Sequence, residues 1–411
     1  MTEPVVPTSV EVLHRRVSPH RVAELTASLI RCDTSNPPGG EQSIIPVLTD
    51  VLVETGCSVE VFETTPGRPS LVAKLGPADG TRPILMFNGH IDVVPARRDE
   101  WEVDPFGGVV EEDRVRGRGA CDMKGGIAAV IEALTVCNEA GARLDSDIVL
   151  HLVADEETGG AHGTEALADA GLIEADACII PEPTEMQIGI AERGCLVADI
   201  FVYGRAAHAS DPALGHSAIM DAARVVAALH LADFGEPGHP LLGRPSCNAG
   251  TISGGTSANV VASECVVRID RRTLPGDSRE HVLKSITDEL DRLSPKIDYR
   301  IEPYLFVEAS EIRRDAPFVR YLQHIASGRN SSPAEVQGSY LGSDARTLRN
   351  RLGIPTVLYG PGSVSQAHTP DEWVMTDDLV AIAKSFVSIL TTFGTRSSMD
   401  RAADGRMHSL P

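Results

Sequence analysis

The chain has no Cys-x-x-Cys pair and no regular cysteine spacing, which excludes a zinc ribbon or a disulfide scaffold as its organising device. Its eight cysteines are better read as small apolar side chains kept as thiols in a reducing cytosol. Positive charge is in deficit: the formal net charge of −21 argues against nucleic acid or an anionic membrane surface as a partner. The opening segment MTEPVVPTSVEVLHRR lacks an apolar leader, and no run approaches the length of a membrane span. No internal repeat is present. A cytoplasmic protein is expected, and at 411 residues it exceeds what one core usually supports, so two domains are expected. The hydrophobic fraction of 42% is ordinary for a globular chain.

What is present is a set of ligand-type side chains at the ends of strand-like runs. ILMFN (84–88) precedes His90 and Asp92, and IVLHLV (148–153) runs into Asp155, Glu156 and Glu157. ACII (177–180) runs into Glu182, and TVLY (356–359) precedes a GPG turn and His368. Short β-branched apolar runs ended by Gly, Pro or acidic residues read as buried strands of an α/β sheet. Ligands of such sheets gather outside the carboxyl ends of the strands. With Asp122, which lies near the start of a helical pattern, the chain offers two imidazoles and three carboxylates. His90, Asp122, Glu157, Glu182 and His368 therefore suit two zinc-like or cobalt-like ions, one carboxylate bridging them. Amide hydrolysis at neutral pH needs an activated water, and a metal lowers the pKa of water from ~15.7 to about 7. A carboxylate beside that water can move its proton. Glu156 and Glu157 are adjacent, and their spacing alone does not say which binds metal and which stays free.

Helix-like and strand-like segments alternate from about 20 to 190. Val22, Leu25, Leu29 and Ile30 form one helical face, and Ile127, Val130, Ile131 and Leu134 another. From about 192 the order becomes β-α-β-β-α-β, which predicts a ferredoxin-like α+β insertion; Val282, Ile286 and Leu290 share a face of its second helix. The expected division is a catalytic domain over 1–191 and 307–394, an inserted domain over 192–306, and a disordered polar tail over 395–411.

RCDTSNPPGGE, NGHIDVVP, WEVDPFGG, GRGACDMKGG, ADEETGG, PEPT, GRAAHAS, DRRTLPGD, GSDAR and AHTPDE follow in the order seen in the M20 metallopeptidase family. Within it the chain resembles the acetylornithine deacetylase and succinyl-diaminopimelate desuccinylase branch, over roughly residues 20–394. The resemblance implies an α/β catalytic domain with a mixed sheet flanked by helices, two divalent metal ions, and an inserted lid that often mediates homodimerisation. It implies that Asp122 bridges the metals, that His90 and Glu182 complete one site, and that Glu157 and His368 complete the other. Asp92 would receive the imidazole N–H of His90, Glu156 would be the general base, and His208 would stabilise the oxyanion, often from the partner subunit. Asn259, Arg272 and Arg346 resemble substrate-contacting positions. Ser217 stands where the family often has Asn.

Blander readings stand beside these. Arg346 can close an ion pair with Asp344, Arg271 can be the cleft residue in place of Arg272, and His208 can be a surface-loop residue. Cys121 reads as a packed side chain, His151 as a buried strand residue, and His162 carries no assigned role. The expected function is hydrolysis of the amide of an N-acyl amino acid or related small molecule by metal-activated water. Zinc is the first choice of ion, with cobalt or manganese as alternatives. The rivals are a metallo-carboxypeptidase or dipeptidase acting on short peptides, a hydrolase of another C–N bond, and a non-enzymatic binding protein.

Overall fold

The computed structural model describes residues 9–77, 80–327 and 334–395. Residues 396–411, nearly all of the tail expected to be disordered, lie outside the described residues. Contacts divide the chain into two units. One comprises residues 1–190, 312–337 and 343–411; the other comprises 191–311 and 338–342.

The first unit is built on a mixed sheet. Seven of the sheet's nine strands are, in spatial order, Ser58–Glu63, Pro69–Leu75, Asp147–Val153, Ile84–His90, Ala177–Ile180, Thr356–Leu358 and Ile188–Glu192. The four central strands, Asp147–Val153, Ile84–His90, Ala177–Ile180 and Thr356–Leu358, are parallel, and the flanking pairs are antiparallel. All seven residues of Asp147–Val153 are buried, as a continuous apolar strand covered on both faces must be. Ser58–Glu63 lies at an edge and carries exposed Glu60 and Glu63, which discourages pairing with another chain.

Helices cover the sheet. Lys124–Glu139 packs against both Thr376–Thr392 and Pro19–Ile30, so its burial extends round most of its surface. Phe87 of the central strand meets Phe386 edge-to-face with ring centroids 5.3 Å apart, a contact worth about 0.5–1.5 kcal/mol beyond area burial. Pro19–Ile30 begins with Ser18 capping the Arg21 N–H and Pro at its first turn. Buried Glu132 of Lys124–Glu139 accepts the Ser18 N–H at 2.8 Å and Arg21 Nη2 at 2.9 Å, joining the two helices. The start of Lys124–Glu139 approaches the carboxyl end of Ala177–Ile180 so closely that a Cβ on Gly126 would lie 2.1 Å from the Pro181 carbonyl oxygen. Only glycine permits that approach, which brings the segment after Asp122 alongside Glu182.

The second unit has strands Gly194–Tyr203, Cys247–Gly254, Glu264–Thr273 and Asp298–Val307 with helices Ala218–Leu229 and Arg279–Asp291. Counting the strands in chain order, the sheet runs 2-3-1-4 and is antiparallel throughout, the ferredoxin-like arrangement. Gly194–Tyr203 alternates buried and half-buried residues, one face toward the core. Leu196, Ala198, Ile200 and Val202 pack with Val282, Ile286 and Leu290, as the helical spacing predicts. Ser217 accepts the Met220 N–H and caps Ala218–Leu229, a role that Asn fills equally well. Among the described residues no helix is long and apolar enough to cross a membrane, and all eight cysteines are free thiols.

His151 lies inside Asp147–Val153 with 1% exposure, and its Nδ1 has no hydrogen-bond partner among the described residues. Burial, with a smaller contribution from Lys74, lowers its pKa to about 4. The unfolded chain takes up this proton near pH 6.5 and the folded chain only near 4, so stability falls as pH drops through that window. The linkage amounts to about 2 kcal/mol between pH 8 and pH 5. His151→Leu is expected to remove this component, read as urea midpoints at the two pH values. An unaltered pH dependence in the variant would refute it.

Candidate metal centre

The carboxyl ends of the four parallel strands lie along one edge, and the ligand-type residues follow them. His90 is the last residue of its strand, Glu156 and Glu157 follow Asp147–Val153, and Glu182 follows Ala177–Ile180. His368 follows Thr356–Leu358 after the GPG turn and adopts φ +60°, an uncommon left-handed conformation for a residue other than glycine. Asp122 enters from the other side of the edge, just ahead of helix Lys124–Glu139.

These residues fall into two sets sharing Asp122. His90, Asp122 and Glu182 offer ligand atoms within 4.8 Å of one another, and so do Asp122, Glu157 and His368. Asp122 turns one oxygen to each set: Oδ1 is 2.9 Å from His90 Nε2 and Oδ2 is 3.5 Å from His368 Nε2. Glu182 Oε1 lies 3.6 Å from His90 Nε2, and Glu157 Oε2 lies 3.0 Å from His368 Nε2.

The electrostatics fit two divalent cations. Burial and the charge of Asp122 push the Glu157 and Glu182 carboxyls up toward the neutral form. His368 is raised by its hydrogen bond with Glu157. For His90 burial acts the other way, but hydrogen bonding to Asp122 and the nearby carboxylates raise it well above its usual value. The upward shifts of both imidazoles and of the two glutamates reflect a crowded set of carboxylates that favours positive charge among them, a service a metal pair would perform. Two nitrogen and three carboxylate donors suit zinc-like ions.

Glu156 sits beside both sets and belongs to neither. Asp155 has φ +72°, and the short 3₁₀ turn that follows sends the Glu156 and Glu157 side chains in different directions. Burial above all, with Asp344, Glu182 and Glu157 adding to it, holds the Glu156 carboxyl well above the usual range against the pull of His90. Arg346 lies 3.8 Å from Glu156, and its Nη1 and Nη2 donate to the carbonyls of Ser343 and Gly159, each at 2.7 Å. Asp344 accepts the Thr164 hydroxyl at 2.7 Å, and burial raises its pKa to about 6.

Asp92 has a wider part than the sequence suggests. His90 Nδ1 is 2.9 Å from the Asp92 backbone carbonyl and 3.6 Å from its carboxylate, so the closer hydrogen bond runs to the main chain. The carboxylate instead accepts the N–H groups of Glu156 and Glu157, both at 3.2 Å, and Asn36 Nδ2 at 2.8 Å. It therefore sets the turn that separates the two glutamates.

Three residues singled out in the sequence belong to the second unit. His208 Nδ1 accepts the Ser210 N–H at 3.1 Å and lies 2.8 Å from the Ser210 hydroxyl. Asn259 lies beside it, its carbonyl accepting the Ala209 N–H. Arg271 is fully buried, paired with Glu236 at 3.0 Å and stacked over Phe234, whereas Arg272 is partly exposed and paired with Asp270. Cys121 is buried, its thiol pushed up mainly by burial, and it packs against the Ser363 carbonyl.

A parallel-strand edge carrying two imidazoles and two glutamates around a shared aspartate defines a metal-dependent hydrolase. The profile of Peptidase family M20/M25/M40 matches residues 86–392. An acetylornithine deacetylase of Vibrio cholerae is 32% identical over 361 residues, covering 85% of this chain and 90% of the relative. Human carnosine dipeptidase 1 shares the fold at a TM-score of 0.74 and 17% identity, covering 94% of this chain and 99% of its own. A dinuclear metal binding peptidase of the family from Bacillus subtilis does so at 0.67 and 16%, covering 93% and 100%. The chain belongs to Peptidase family M20/M25/M40 and is a metal-dependent hydrolase of C–N bonds.

Added zinc or cobalt is expected to raise the thermal midpoint, by about 2.7 kcal/mol of stability when free ion reaches a hundred times its Kd. Asp122→Ala is expected to abolish the rise. An equal rise in the variant would place the ions elsewhere.

Proposed function

We propose that this chain removes the acyl group from an N-acyl amino acid or a close small-molecule relative. The observation that carries this reading is Glu156, a carboxylate with its side chain only 13% exposed, beside the ligands and outside both sets. The similarity to acetylornithine deacetylases over most of the chain supports the substrate class.

In this reading His90 and Glu182 hold one ion, Glu157 and His368 hold the other, and Asp122 is shared. Zinc is the proposed ion, with cobalt or manganese as substitutes. When bound, such ions acidify water and polarise the amide carbonyl. Glu156 takes the proton of the attacking water and returns it to the leaving amine; a carboxyl raised by burial suits both acts. Asp92 keeps Glu156 and Glu157 apart through their backbone N–H groups and fixes the His90 ring through its own carbonyl. His208 donates its Nε2 proton to the developing oxyanion, an interaction worth about 2.7–4 kcal/mol in other enzymes. Asn259 and Arg272, with Arg346, contact the substrate, the arginines matching a free carboxylate.

The protein is proposed to act as a homodimer in the cytoplasm. Among the described residues strand Cys247–Gly254 stands at an edge of its sheet, and Ile219, Met220 and Ile252 are exposed on the same unit. Eight free thiols suit a reducing compartment.

The decisive assay offers N-acetyl, N-succinyl and N-formyl amino acids and dipeptides to metal-loaded protein. Amine release from one acyl class, lost on chelation, is expected; cleavage of dipeptides alone would move the activity to the peptidase side. Glu156→Gln is expected to lower kcat at least a hundredfold with metal content intact, and an active variant would remove Glu156 from this role. His208→Ala mixed with Glu156→Gln is expected to recover activity if His208 serves the partner's site. No recovery would assign His208 to its own chain or to no role.

A further inference from the structure

The residue most tightly tied to the shared ligand Asp122 is itself no ligand. Glu372 is fully buried, four residues beyond His368. Its Oε1 accepts the N–H groups of Cys121 at 2.7 Å and Asp122 at 3.0 Å. Its Oε2 accepts the Gly119 N–H at 3.1 Å and Arg118 Nη1 at 2.7 Å. The Glu372 backbone carbonyl accepts the Gly117 N–H at 2.9 Å. One residue thus gathers the whole approach to Asp122, from 117 to 122.

The same segment is anchored on its other side. Asp371, with φ +55°, accepts Arg116 Nη2 and the Glu102 N–H, each at 3.0 Å. Strand Trp373–Met375 then pairs with Arg114–Arg116. The loop bearing His368 and the loop bearing Asp122 are therefore joined by the Glu372 carboxylate and the strand pairing beyond it.

We infer that Glu372 is a positioning residue for the metal pair, holding the Asp122 main chain so that its two oxygens face the two ligand sets at once. The inference rests on the metal-centre reading above. A carboxylate taking three backbone N–H groups and a guanidinium is a rigid anchor, because charge-assisted hydrogen bonds are short and strong. The N–H of Asp122 lies one bond from its Cα, so releasing it frees the direction of the side chain. Residues that orient metal ligands commonly alter metal affinity about 10–100-fold when replaced.

Glu372→Gln puts an amide NH₂ against donors on one side and is expected to weaken metal binding about 10–100-fold. Removing a negative charge would weaken binding through electrostatics alone, so a second variant separates the causes. Arg118→Met takes a positive charge away from Asp122, which by charge alone tightens cation binding; loss of positioning loosens it. We expect Arg118→Met to bind both ions at least severalfold more weakly than the unaltered chain.

The measurement is chelator competition with zinc and cobalt on the full chain, with circular dichroism of the metal-free protein confirming the fold. Weaker binding by both folded variants supports the inference. Tighter or unchanged binding by Arg118→Met overturns it, as does an affinity within twofold of the unaltered chain in folded Glu372→Gln. Should Glu372→Gln fail to fold, Arg118→Met decides alone. If the unaltered chain binds two ions and the variants match it, only this inference falls. If the unaltered chain binds none, the metal-centre reading falls and takes the inference with it.

Discussion

Crowding of negative charge around Asp122 is the constraint to which the rest of the catalytic unit answers. Its two oxygens face two imidazoles, and Glu157 and Glu182 stand within ligand distance of the same histidines. Buried carboxylates this close repel one another and favour their neutral forms unless cations intervene. Among the described residues no lysine or arginine pairs with Asp122, Glu157 or Glu182, whose partners are His90 and His368. The arginines and backbone donors lie one layer out.

That outer layer is itself made of acids. Asp92, Asp155 and Glu372 are buried, and each is saturated by donors. Asp155 accepts the Thr158 hydroxyl at 2.6 Å, Arg68 at 2.9 Å and the His162 N–H at 3.0 Å. The loops beyond a sheet edge have N–H groups that no strand ladder satisfies, and leaving one buried without a partner costs about 1–3 kcal/mol. A carboxylate accepting two or three of them solves this and fixes the loop. The layer therefore anchors backbone, while the inner residues are left to bind ions.

This division explains what the sequence revealed. The strands and the helix Lys124–Glu139 were legible because burial imposes a period and a residue type on each. Four of the five ligand-type residues were legible because each follows such a run, and Asp122 because it stands at the start of a helical pattern; the ferredoxin-like order was legible from alternation. Glu372 was in plain view within AHTPDE, and Arg118 within GRGACDMKGG, yet neither could be paired. Their partners are remote in sequence, and one buried glutamate looks like any other acidic turn residue. Asn36 of RCDTSNPPGGE, which donates to both Asp92 and Asp155, was hidden for the same reason. The choice between Arg271 and Arg272 turned on strand phase: neighbours in a strand face opposite ways, and Arg271 takes the buried side. The sequence did suggest that Asp92 serves His90, but it could not separate a carboxylate from the carbonyl of the same residue.

Backbone strain points the same way. Asp155, His368 and Asp371 all have positive φ, and all lie in the two loops that bring Glu157 and His368 to the edge. Such conformations cost on the order of 1–3 kcal/mol for a residue other than glycine and persist only where the surroundings over-determine them. Here they do: Asp155 is fixed through its own side chain, Asp371 through Arg116 and Glu102, and His368 lies between the GPG turn and the Glu372 anchor. The strain is met by hydrogen bonds that do not involve the ligand atoms. The hydrogen bonds that hold these loops thus come from Thr158, Arg68, Arg116 and Glu102 rather than from the side chains that would hold the ions. Such an arrangement would lower the ordering cost of binding the ions.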